Sequence, residues 1–238
     1  MPYRVSSSRK HFELQVLAIK KNLKVADKKG VPSSLRDYAI AAAIFLAHAE
    51  IENYFIDVLA RIANAYSKGI SSASDLPQKL RAHLVVEKLN LKTIAAKVSG
   101  NSGEQDVLNF VERWFSSSNS YLINESKPLC AFLGEDIYGD YSYPSIRNLE
   151  KVLRRLGIGN PKMELNKTGK EDVISLLESL ANLRTALAHS ASLPGISCGD
   201  VALRINQVMR FVSALDKLLY FSLKSSVSDN YWKSSVCN

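Results

Sequence analysis

Apolar residues recur three and four positions apart along most of this chain, and no segment shows a strand-like alternating series. Phe12, Val16, Ile19, Leu23 and Ala26 form one such stripe, predicting a helix over residues 8–28 that Gly30 and Pro32 bring to an end. A long second helix starts after Ser33 or Ser34 and reaches about Tyr66, with Ile40, Ile44, Ile51, Phe55, Val58 and Ile62 on its apolar side. Asp75 before Leu76 and Pro77 reads as an N-cap with proline in the first turn, opening a helix towards Val98 with a break near Asn90. A turn follows at 100–103, then a short amphipathic helix over 106–115.

The stretch 116–144 is rich in Ser, Tyr, Gly and Asn and reads as a long loop or lid. Its aromatics, Tyr121, Phe132, Tyr138, Tyr141 and Tyr143, predict that it packs down on the body. Beyond it come a short helix over 145–156, a turn at 157–161 and a helix over 170–188. Ser197 and Asp200 then have capping-box spacing ahead of a last helix ending near Lys224. The pattern predicts an all-α, up-and-down helical bundle with additional short helices, one domain over 8–224, and a frayed tail over 225–238.

Composition narrows this further. Eleven glycines and seven prolines in 238 residues are too few for a sandwich or barrel, which needs a turn signal every ten residues or so. The net charge of +8 favours polyanionic partners, RNA and DNA first. The densest basic cluster, Lys20, Lys21, Lys24, Lys28 and Lys29, falls on one predicted helix and reads as a solvated face. Cys130, Cys198 and Cys237 are odd in number and far apart, which suits a reducing compartment rather than a disulfide framework. The longest apolar run, 39–47, is too short to span a bilayer, and the N-terminus has no apolar leader. A cytoplasmic protein with no membrane partner is expected. His11, His48, His83 and His189 lie in separate segments, with no HExxH, Gly-rich phosphate loop or GxSxG elbow, so neither a metal nor a cofactor is expected.

The chemistry concentrates in 184–189. Arg184 falls inside the apolar arc made by Val173, Leu176, Leu177, Leu180, Leu183 and Leu187. Arginine in such a place asks for an acidic partner, a phosphate or a subunit interface. His189 comes five residues later, about 140° further round an ideal helix. Ser190, Ser192, Pro194 and Gly195 place it in or just beyond the last turn, where a helix C-terminus favours imidazolium. On the second helix His48 and Glu52 share one row beside Ile44, Phe45, Phe55 and Leu59, which makes Glu52 the expected ion-pair partner of Arg184. His48 reads either as a histidine hydrogen-bonded inside the bundle or as a substrate contact.

The segment Leu180-Ala-Asn-Leu-Arg-Thr-Ala-Leu-Ala-His189 resembles the Arg-x4-His motif of the HEPN superfamily. The long early helix around Leu46-Ala-His-Ala-Glu-Ile-Glu-Asn-Tyr54, the segment from Ile146 to Ile158 and the capped last helix follow the order of the RiboL-PSP type of HEPN domain. The resemblance spans residues 8–224 and implies a HEPN-type bundle. It also implies a metal-independent endoribonuclease, commonly a homodimer whose two motifs meet in a basic cleft, and often a toxin or defence protein with an antitoxin partner. Arg184, His189, Thr185 and Glu52 would then be catalytic, with His48, Asn182 and Ser190 touching RNA. Thr185 stands where HEPN enzymes commonly have Asn, Asp or His, and Ser190 where many have Gly. A non-catalytic HEPN module binding RNA, a nucleotide or a partner protein is the alternative, and a structural adaptor bundle is a third.

Overall fold

A computed structural model describes residues 2–89, 95–96, 104–190 and 195–238, and among these no residue is in a strand. Four long helices make the body: α1 (Ser7–Ala26), α2 (Ser33–Gly69), α8 (Val173–Ser190) and α9 (Cys198–Ser226). Between α2 and α8 lie α3 (Gln78–Leu89), α4 (Glu104–Phe115), α5 (Gly134–Tyr138), α6 (Ile146–Arg155) and α7 (Pro161–Gly169).

The run of the long helices follows from a few cross-links. Tyr3 and Ser6 reach Asp216 at one end of α1, while Lys20 donates to Asn206 nearer the other (2.6 Å), so α1 and α9 are antiparallel. Ser179 on α8 donates to Gln207 (3.2 Å) and Arg210 pairs with Glu171, so α8 is also antiparallel to α9. α2 runs with α9: its Asp37 lies near Cys198 and its Tyr54 donates to Asp216. The C-terminal half of α8 therefore lies against the N-terminal half of α2. α2 is the central helix, with Ile44, Ile51, Phe55, Val58, Leu59 and Tyr66 wholly buried. It is also the one helix among the described residues long and apolar enough to cross a membrane; here one apolar side of it is core and a second, in its N-terminal half, is exposed.

Several boundaries depart from the pattern. Asp75 does not cap α3; it ends a short 3-10 turn, Ala73–Asp75, which Ser72 caps. The expected continuation to Val98 falls largely outside the described residues. α7 has no counterpart in the sequence pattern, whose turn at 157–161 reaches only its first residue: only Pro161 and Leu165 are buried, and the apolar period is too weak to show. The tail over 225–238 is not frayed. It forms Asp229–Tyr231 and a π-helical turn, Trp232–Val236, and burial of Trp232 and Val236 holds it down. The Trp232 indole donates to the Arg4 carbonyl (2.8 Å), tying the two ends of the chain together.

The stretch 116–144 contains a 3-10 turn, Ser118–Leu122, and the short helix α5. Tyr121, Phe132, Ile137 and Tyr138 are buried, so it does pack down. Gly134 makes that docking close: a Cβ there would stand 2.7 Å from the Ala60 backbone nitrogen on α2. Lys88 pairs with Asp136 (2.7 Å) and Arg155 donates to the Ile137 carbonyl, holding α5 between α3 and α6. α6 buries Leu149, Val152 and Leu153 completely, each worth about 1.5–3 kcal/mol. The segment leaving α5 is thereby steered across α2 towards α8.

Candidate functional site

His48 is buried in α2 and uses both ring nitrogens. Nε2 lies 3.2 Å from the Leu180 carbonyl, which can only accept, so Nε2 carries the hydrogen. Nδ1, 2.6 Å from the Tyr143 hydroxyl, is then the acceptor and Tyr143 the donor. This is the neutral imidazole. Burial lowers its pKa below 6.5 and the Arg184 charge pushes the same way, against the backbone bond. The Tyr143 ring stacks on the imidazole at 5.5 Å between centroids. Burial pushes the Tyr143 phenol up to about 12; Arg184 pulls it down and Glu52 raises it further.

One helical turn along α2, Glu52 accepts from Ser142 Oγ (2.8 Å). The expected Glu52–Arg184 ion pair is not formed. Residues 142 and 143 dock along the His48–Glu52 row, where Ser142 donates to Glu52 and Tyr143 to His48. Tyr143 feels both charges, while among the described residues Arg184 enters no ion pair.

Arg184 is exposed although its phase on α8 is that of the buried Leu177, Leu180 and Leu187. The N-terminal half of α2 turns a bare apolar stripe outward, with Leu35 56%, Tyr38 74%, Phe45 45% and Leu46 50% exposed, and Ala42 and Ala49 also open. The stripe runs from Leu35 to Ala49, about 21 Å at 1.5 Å per residue, and borders the His48–Glu52 row. Of the three partners Arg184 asks for, an acid on the same chain is not found among the described residues. A phosphate or a second subunit remains.

His189 is exposed in the last turn of α8, which is unbroken through Ser190. The angle of about 140° between the two side chains therefore stands, and no helix distortion turns His189 back on its own Arg184. Thr185 is exposed and donates to the Ala181 carbonyl (3.0 Å), while Asn182 is exposed beside it. The side chain of Ser190 lies outside the described residues. Among the described residues no three His, Cys, Asp or Glu side chains gather as a metal site would require.

Sequence reasoning missed the roles of Ser142 and Tyr143. The aromatic content of 116–144 predicted packing, but no local signal says which residue an aromatic in a loop will meet.

An all-helical bundle carrying Arg-x4-His at the exposed end of an internal helix defines a HEPN-type domain. The RiboL-PSP-HEPN family model matches residues 12–220, and the chain belongs to that family. No curated protein and no solved structure matches it significantly.

Proposed function

We propose that this chain is a metal-independent endoribonuclease of HEPN type, acting on RNA as a homodimer. The ribose 2′-OH attacks the adjacent phosphorus while the bond from phosphorus to the 5′ oxygen breaks, leaving a 2′,3′-cyclic phosphate and a 5′-OH. His189 takes or gives the proton, a role worth about 10²–10⁴-fold. Arg184 donates paired hydrogen bonds to the charge building on the phosphate oxygens. Thr185 and Glu52 support the site, with Asn182 and Ser190 beside the RNA path; His48, expected there too, is instead buried with both ring nitrogens engaged by Leu180 and Tyr143 and positions the motif helix.

The observation that carries the reading is that Arg184, on the packing face of α8, is exposed and enters no ion pair among the described residues in a chain of this family. The divergence of His189 from Arg184 calls for a second copy, and the bare stripe on α2 is a surface that a second copy would cover. In the cell this would be a cytoplasmic toxin or defence nuclease, restrained by an antitoxin protein or a trigger.

The test is cleavage of single-stranded RNA by the purified chain in EDTA. Cyclic-phosphate products are expected, and His189→Ala and Arg184→Ala should each abolish them. The engagement of the Thr185 hydroxyl with Ala181 and of Glu52 with Ser142 favours a second reading, a HEPN module that binds RNA, a nucleotide or a protein without cutting. RNA binding with no cleavage at any enzyme concentration would establish that reading instead.

A further inference from the structure

The outward face of α6 is cationic over its whole length. Arg147, Lys151 and Arg154 fall on one row, with Arg155 at its edge. Its acid, Glu150, lies at the other edge and pairs with Lys162 (3.7 Å). Among the described residues Arg147 and Arg154 are exposed and enter no ion pair. Lys151 and Arg155 are fixed by Tyr141: the Lys151 ammonium donates to its hydroxyl (2.7 Å) and sits 4.2 Å from its ring centroid, and the Arg155 guanidinium lies 5.3 Å from it.

This face is joined to the motif by hydrogen bonds. Asn148, in the first turn of α6, donates to the Tyr143 carbonyl (3.0 Å); Tyr143 donates to His48, and His48 to the Leu180 carbonyl one turn before Arg184. Arg147 is close enough to act on Tyr141, and Arg184 on Tyr143, so cations flank both ends of the 141–143 segment. An isolated basic helix face is often no more than a solvated surface. Here it is preorganised, and it starts where the candidate chemistry lies.

We infer that Arg147, Lys151 and Arg154 on α6 form a backbone-binding strip that receives a single-stranded polynucleotide on its way to or from Arg184. The choice of polynucleotide rests on the nuclease reading above. The strip itself is a prediction about affinity, separate from cutting. Cations that contact phosphates release counterions, so log K falls with log salt by about 0.7 per contact on a single strand.

The probe is a short single-stranded 2′-O-methyl oligonucleotide, which lacks the attacking hydroxyl, titrated by fluorescence anisotropy at a series of salt concentrations. Arg147→Ser with Arg154→Ser should weaken binding and flatten the salt slope by about 1.4, two contacts' worth. Lys21→Ser with Lys28→Ser, which removes the same charge from exposed positions on α1 and the turn that follows it, should leave the slope unchanged. Arg147→Lys with Arg154→Lys should restore it. An unchanged slope in the α6 double variant, an equal loss in the α1 pair, or a wild-type chain that binds anionic vesicles and no oligonucleotide would each overturn the strip. A wild-type chain that binds but cuts no RNA overturns the nuclease and leaves the strip standing. One that cuts, while the α6 variants bind as wild type does, overturns the strip alone.

Discussion

Tyr143 donates to His48 across 2.6 Å, and with that bond a loop residue fixes the protonation state of a buried histidine beside the motif helix. The neutral His48 spends its remaining hydrogen on the Leu180 carbonyl, which α-helical geometry also offers to the backbone N–H of Arg184. Removing Tyr143's hydroxyl leaves a buried acceptor unpaired, at about 1–3 kcal/mol. Acid has the same target. His48 titrates below 6.5 in the fold, so the unfolded chain takes up a proton there that the folded chain refuses. Its contribution to stability is complete above pH 6.5 and drains away as pH falls from 6.5 through the lowered folded value. Thermal melts at about pH 7.5 and pH 5.5 should show a loss in the wild-type chain that is smaller in His48→Gln, which has no such proton to gain. Equal losses in both would place the acid sensitivity elsewhere.

The bare stripe on α2 predicts self-association. Phe45 and Leu46 are half exposed on the same helix as the site, next to the row that holds Tyr143. Phe45→Glu with Leu46→Glu should leave the monomer folded, since neither residue is core, and should shift the elution and sedimentation of the wild-type chain from dimer to monomer. RNA cleavage should fall with the dimer fraction. A wild-type chain that is monomeric at all concentrations would remove the dimer from the mechanism.

Asp216 is the structural counterpart of the site. It is buried, and accepts from the Tyr3 hydroxyl, the Ser6 amide and hydroxyl, and the Tyr54 hydroxyl. Burial pushes its carboxyl up, while these donors and Arg9 pull it down. Asp216→Ala strands several donors inside the bundle and should cost about 3–5 kcal/mol in urea unfolding. Tyr3→Phe removes one donor among four and should cost about 1 kcal/mol. Similar losses in the two variants would mean that Asp216 is not the hub.

The sequence by itself determined the helices whose signals are local. Residue spacing along α1, α2 and α9 is written in their own side chains, and Ser197 and Asp200 form their capping box with no outside help. The motif and the family likewise lie in residue order. Pairing does not. Glu52 and Arg184 looked like partners because each is awkward alone, but which charges meet depends on what the chain lays between them. Here it is Ser142 and Tyr143, 90 positions from Glu52 and 95 from His48. The tail, too, is held by contacts with residues more than two hundred positions away, which no local window contains. Tertiary structure alone left Arg184 exposed. It laid Ser142 and Tyr143 along the His48–Glu52 row, so that a side chain in an apolar arc meets solvent where the periodicity predicted a core.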